Sequence, residues 1–142
     1  MAQQPSPIKL FQIEEPDGSQ DAADGFGMAV GIELSRTRGV SVAASVGGNA
    51  QLVIAPDGTG IGRALSETEL SQMFRDLRSL TEKAMAQPVT HAVIRLDGFE
   101  LADGVLLRAA AAAEIALLGV RQEGSSLDAA IEAEDIADIL SR

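Results

Sequence analysis

Carboxylates are the side chains with the clearest chemical potential in this chain. Glu33 sits inside a short apolar run, Asp97 closes another, and Glu132, Glu134, Asp135 and Asp138 crowd the last segment. Carboxylates drawn from separate elements can hold two divalent metals about 4 Å apart and activate water against a phosphate ester. The plainer role for the late acids is a solvated helix face. Charge weighs towards the plainer role: 11 basic against 21 acidic residues give a formal −10 with the single His neutral. A phosphodiester backbone would be repelled unless Lys and Arg surrounded the site, and no basic stripe is visible.

A second candidate is Ser35-Arg36-Thr37-Arg38. Arg36 and Arg38 in one tight turn could clamp an anion, either a phosphate or a partner's carboxylates. The competing role is a solvated turn whose charges blunt a sheet edge. The other polar groups carry less. His91 has no second His or Cys beside it, so a surface or hydrogen-bonded role outweighs metal ligation. Asp57-Gly58-Thr59-Gly60-Ile61-Gly62 is glycine-rich but lacks the Gly-Lys-Ser/Thr ending of a phosphate loop, so it reads as a loop. Ser45, Ser125 and Ser126 have no His partner, and the absence of Cys removes thiolate chemistry and disulfides together.

The elements that must position these groups follow from the punctuation. Met28 to Leu34 is a short apolar strand followed by a turn around Ser35–Gly39. Val40 to Val46 alternates as a second strand, Gly47-Gly48-Asn49 signals a hairpin, and Gln51 to Ile54 returns. Ser66-Glu67-Thr68-Glu69 is a capping box with Leu65 and Leu70 as its staple. The stripe Leu70, Met73, Phe74, Leu77, Leu80, Thr81, Ala84 predicts a helix that Pro88 stops. Val89 to Leu96 predicts a fourth strand ended by Asp97-Gly98, and Glu100 to Leu118 a second helix built around Ala109–Ala113. Val120 belongs to a short fifth strand. Ser125 or Ser126 caps a last helix carrying Leu127, Ala130, Ile131, Ile136, Ile139 and Leu140.

Length and composition bound the whole. A chain of 142 residues suits one core, and a 46% hydrophobic share excludes wholesale disorder. With 3% aromatic residues the core must be aliphatic. Residues 1–25, rich in Pro, Gly and Asp, read as a flexible acidic lead-in to a single domain over 26–142, although Ile8–Ile13 has the β-propensity to join a sheet edge. No apolar stretch approaches eighteen residues and no leader pattern opens the chain, so a cytoplasmic domain away from membranes is expected. The acidic balance also argues against nucleic acid as a partner.

The order β-β-β-α-β-α-β-α, with right-handed crossovers, predicts an α/β fold: a five-stranded mixed sheet of strand order 3-2-1-4-5 with helices on both faces. That is the connectivity of the ribonuclease H-like fold, which also underlies the lobes of actin-like ATPases. Nucleases and resolvases of that fold place metal-binding carboxylates on strand one, at the end of strand four and on a helix, the positions of Glu33, Asp97 and the late acids.

Two stretches resemble the ATPase lobe of the seventy-kilodalton heat-shock chaperones of DnaK type. Val30-Gly31-Ile32-Glu33-Leu34-Ser35-Arg36-Thr37 is similar to that family's V-G-I-D-L-G-T-T hairpin. Leu65 to Phe99, ending Q-P-V-T-H-A-V-I-R-L-D-G-F, resembles its helix followed by K-P-V-T-x-A-V-I-T-V-P-A-Y-F, and A-L-L-G-V matches x-A-G-L-x-V in position. The resemblance spans about residues 28–121 and implies a hairpin that wraps nucleotide phosphates, with magnesium and ATP as cofactors.

The departures alter that expectation. Ser35 stands where glycine lets the backbone approach phosphate, Arg36 replaces a hydroxyl, and Glu33 lengthens the aspartate that holds hydrated magnesium. Asp97 replaces the proline after strand four, and the link from Ala55 to Leu65 holds Arg63 but not the family's catalytic lysine. The family's second phosphate loop, adenosine pocket and peptide-binding domain correspond to chain beyond Arg142. The expectation is therefore a non-catalytic, chaperone-like interaction module without a cofactor, its degenerate phosphate hairpin at Ser35, Arg36, Thr37 and Arg38. Its partner would be another protein or a second copy in a homodimer. The alternatives are a small metal-dependent phosphoryl hydrolase using Glu33 and Asp97, and a weak nucleotide binder without hydrolysis.

Overall fold

A computed structural model describes residues 27–61, 65–98 and 101–141. The lead-in over residues 1–25, the Ile8–Ile13 segment and Arg63 lie outside the described residues. Elements follow in the order β1 (Met28–Ser35), β2 (Gly39–Val46), β3 (Asn49–Ile54), α1 (Glu67–Met85), β4 (Val89–Asp97), α2 (Asp103–Ala112), β5 (Ala116–Gln122) and α3 (Ser126–Leu140). They build one mixed sheet of order β3-β2-β1-β4-β5, antiparallel from β1 to β3 and parallel from β1 to β5. The α/β class and the strand order match the expectation.

Local chemistry explains the ends of the elements. Gly47 and Gly48, with φ of 62° and 85°, make the two-residue turn between β2 and β3 that a side chain would strain. In α1 the Ser66 hydroxyl accepts from the Glu69 amide at 3.1 Å, while the Glu69 carboxylate accepts from the Ser66 amide at 3.0 Å. Ser125 and Asp128 cap α3 in the same way. Two orphan amides at each helix start are thereby satisfied.

Side-chain alternation splits the sheet into two unlike faces. Val30, Ile32 and Leu34 of β1, with Val42, Ile94 and Leu96, meet Leu70, Phe74 and Leu77 of α1 and Leu106, Ala109 and Ala110 of α2. On the opposite face Ala29 and Val93 meet Ala129 and Ala133 of α3. There α3 lies so close that a Cβ on Gly31 would stand 2.3 Å from both the Ala130 nitrogen and the Ser126 carbonyl oxygen. With helices on both faces, every residue of β1 is buried.

Four elements depart from the sequence expectation. The second helix stops at Ala112, and Ala116, Leu117 and Leu118 open a seven-residue β5. Alanine and leucine favour helix locally, but pairing with β4 and the reversal at Glu114, φ 63°, prevail. In α1, Leu80 and Ala84 face solvent, so the buried stripe is narrower: Leu70, Phe74, Leu77, Thr81. In α3 the buried face is the small one, Ala129, Ala130 and Ala133, leaving Leu127, Ile131, Ile139 and Leu140 exposed. No helix among the described residues is long and apolar enough to cross a membrane.

Candidate functional site

Strand pairing assembles the site on the α3 face, at the carboxyl ends of β1 and β4. Parallel register sets Ser35 beside Asp97 and Glu33 beside Arg95, and antiparallel register sets Ser41 beside Glu33. Glu33 and Asp97 therefore do come together. What joins them is Arg38: its guanidinium forms an ion pair with Glu33 Oε2 and a second with Asp97 Oδ2 at 3.1 Å. Glu33 is only 4% exposed. Ser41 Oγ lies 3.4 Å from its Oε1 and 3.0 Å from Ser126 Oγ of α3, so a hydroxyl chain solvates the buried carboxylate. The Glu33 hydrogen bond, and then its charge, raise the Arg38 pKa above the ordinary guanidinium value, with Asp97 adding to both effects.

The turn itself is closed by its own residues. Ser35 is not a turn residue but the last, fully buried position of β1. Its hydroxyl donates to Asp97 Oδ2 at 2.9 Å and accepts from the amides of Thr37 at 3.2 Å and Arg38 at 3.0 Å. The Arg36 amide donates to the Asp97 carbonyl at 2.9 Å. Three successive turn amides are thus committed within the chain. The segment after β3 clamps the turn from outside, with Gly58 donating to the Arg38 carbonyl and Ile61 to that of Ser35. Gly60, φ +80°, is required there, because a Cβ would fall 2.2 Å from the Arg36 carbonyl oxygen. The aliphatic stem of Arg36 covers Gly98.

The sequence leaves the arginines of the turn either a solvated role or that of a clamp for a phosphate or a partner's carboxylates. Arg38 does neither alone: with its side chain 52% exposed, it clamps two carboxylates of its own chain. That also answers whether the carboxylates fit a divalent ion. A cation would have to lie between Glu33 and Asp97, where the guanidinium already sits paired to both carboxylates, so the donor set does not fit a metal with Arg38 in place. The late acids do not complete it. Glu132 pairs with Arg95 at 3.3 Å and Arg121 at 2.6 Å. Glu134 reaches the far end of the sheet, accepting from Ser45 Oγ and the Gly47 amide at 2.7 Å and the Gly48 amide at 3.0 Å. Asp135 and Asp138 follow on the same outgoing stretch of α3. Among the described residues no group of three or more His, Asp or Glu could hold a metal.

Residues to which the sequence assigns no role at this site, or a different one, complete this picture. Ser41, Ser126, Arg95, Arg121 and the Glu134 clasp all lie on the α3 face. The alternation of β2 placed Ser41 and Ser45 on one face, but only the register showed which acids they meet. Ser125 is the cap of α3, which frees Ser126 to point at Ser41. His91 is hydrogen-bonded, with Thr90 Oγ1 2.6 Å from its Nδ1, and burial lowers its pKa. The buried Nε of Arg95 has no hydrogen-bond partner among the described residues. No protein-family model and no curated protein matches this chain, so the chemistry of the site rests on its own geometry.

Proposed function

We propose that the chain is a ribonuclease H-like domain serving as a non-catalytic protein-interaction module, related to one subdomain of the DnaK-type chaperone ATPase lobe. One observation carries this reading: the turn corresponding to that family's phosphate hairpin is filled from within. The amides of Arg36, Thr37 and Arg38 are spent on Asp97 and Ser35, and the Arg38 guanidinium is paired to both Glu33 and Asp97. A phosphate hairpin works by presenting unpaired amides to an anion beside a hydrated cation. Here an anion would compete with Ser35 for the amides and with two carboxylates for the arginine. Retaining the frame while closing the grip suits a surface that binds protein rather than a cleft that turns over nucleotide.

The phosphoryl hydrolase alternative draws support from a single fact, the convergence of Glu33 and Asp97. Calorimetric titration with magnesium and manganese separates the two readings. The interaction module shows no saturable heat, and a site of micromolar affinity in the unmodified chain would overturn it. Thermal unfolding with ATP or ADP provides the second check, because any tight ligand of the native state raises the melting temperature. No rise is expected at millimolar nucleotide. A rise without turnover would favour the weak nucleotide binder.

A further inference from the structure

The sheet has two edges, and they are guarded differently. β5 carries Arg121, whose guanidinium folds to 2.9 Å from where a Cβ on Gly119 would stand and pairs with Glu132. β3, from Asn49 to Ile54, has no charged residue at all. Leu52 on it is 48% exposed, and Val46, just across the hairpin, is 63% exposed. A groove of about 420 Å³ lies between this strand and the end of α1, lined by Ala44, Val46, Val53 and Met85 together with the polar Asn49 and Gln51. On the other face Leu52 stands beside Ala43, towards α3. Leu127 and Ile131 are exposed there, on the flank of α3 that also carries Glu134 and so overlooks the β2–β3 hairpin. Edges are ordinarily blunted by lysine, proline or a bulge. β3 has only the bulge, where the register slips between Val42 and Ala43.

Resting on the interaction-module reading, we infer that the β3 edge is the interface for a second copy of this chain. The two β3 strands pair antiparallel about a two-fold axis into one continuous sheet. Self-complementarity identifies the occupant. Across a two-fold axis a residue meets its own copy or a near neighbour, so a charge there faces a like charge. Asn49 and Gln51 both donate and accept, so with the axis at Ala50 each meets the other's copy as an amide pair, while Ala50 and Leu52 need only burial. β5, with Arg121, fails that requirement. Two copies at −10 each also repel unless they meet through a strip free of carboxylates, which β3 provides. A basic partner of other sequence would be drawn instead to the acids of α3. The bulge confines the new ladder to Asn49–Leu52, so the apolar side chains on both faces hold the remainder.

The chain lacks cysteine, so single cysteines report contacts without interference. Asn49→Cys, Ala50→Cys, Gln51→Cys and Leu52→Cys are oxidised mildly and run on non-reducing gels, with Ala116→Cys and Gln122→Cys on β5 as controls. At least one β3 position should link to a dimer and neither control should, since a disulfide needs Cα atoms within about 7 Å. Sedimentation of the full chain should show a micromolar dimer that Leu52→Lys weakens by about tenfold or more, with unchanged circular dichroism. A wild-type monomer at millimolar concentration overturns the interface, as does a dimer that resists Leu52→Lys and links only through β5. A monomer that ignores magnesium and nucleotide overturns the interface alone. ATP turnover overturns the functional reading whatever the assembly.

Discussion

The two faces of the sheet solve the burial problem in opposite ways. Towards α1 and α2, large side chains such as Ile32, Leu34 and Phe74 interdigitate, and stability comes from apolar area removed from water. Towards α3 the contact residues are mostly small, Ala29, Gly31, Ala129, Ala130 and Ala133 beside the larger Val93, so the helix rides close and less apolar area is available per residue. Proximity is what the second face gains. A helix that near can reach the buried Ser41 through Ser126, and Ser41 in turn lies against the buried Glu33. The polar constellation sits on the small-residue face because large side chains would have held α3 too far away to enclose it.

The contrast breaks most sharply where each face is weakest. On the large face, deletion should hurt: Phe74→Ala removes a fully buried ring and is expected to cost about 3–5 kcal/mol in urea unfolding. On the small face, addition should hurt: Gly31→Ala places a methyl group against backbone atoms that cannot rotate away. Overpacking of that kind costs about 1–3 kcal/mol, and the upper end is expected here. A Gly31→Ala protein as stable as wild type would show that α3 is not seated as closely as described.

Smaller in effect, but more telling for the site, is the arginine. Arg38→Met removes the counter-ion of a buried carboxylate and should lower the melting temperature. The fall should be less than for Phe74→Ala, because Ser41 still solvates Glu33 and the vacated space opens to water. Adding Glu33→Gln should restore part of the loss, since the charge then left without Arg38 is Asp97, which is partly exposed, and not the buried Glu33. If the double variant is no more stable than Arg38→Met, the pairing of Glu33 with Arg38 is not what the arginine supplies. The same single variant sharpens the metal question. With the guanidinium gone, weak magnesium or manganese binding at Glu33 and Asp97 should become measurable by calorimetry.

Features with local causes were legible without coordinates. The Ser66 capping box, the Gly47-Gly48 turn and the alternation of β2 each act within a few residues, and connectivity rules turned the element order into the observed strand order. The start of β5 was not, because Ala116-Leu117-Leu118 prefers helix until β4 lies alongside. The buried face of α3 was missed for a related reason. Hydrophobic periodicity follows Leu127, Ile131 and Ile139, whereas a helix over Gly31 selects alanine. At the site both acids were identified, yet their counter-ion was not. Asp97 lies 62 residues from Ser35, and only parallel pairing brings it within reach of Arg38.

Glu134 gives the most modest effect and the cleanest pH signature. Its carboxylate accepts from Ser45 and from the two amides of the Gly47-Gly48 turn, tying the hairpin to α3. The Ser45 hydrogen bond, followed by the amides of Gly48 and Gly47, lowers its pKa against a partial opposition from burial and Asp138. A carboxyl whose pKa is lower folded than unfolded contributes stability that is complete above the unfolded value, about 4.3, and is lost as pH falls through the folded one. Glu134→Gln keeps the size of the side chain and loses charge-assisted acceptance, so at neutral pH it should cost about 1 kcal/mol, discounted for solvent access. The gap between wild type and variant should stay constant from pH 7 to about 5 and then close as the wild-type carboxyl takes up its proton. A gap that persists unchanged at pH 3 would mean that the clasp depends on shape rather than charge, and the hairpin would then be held to α3 by packing alone.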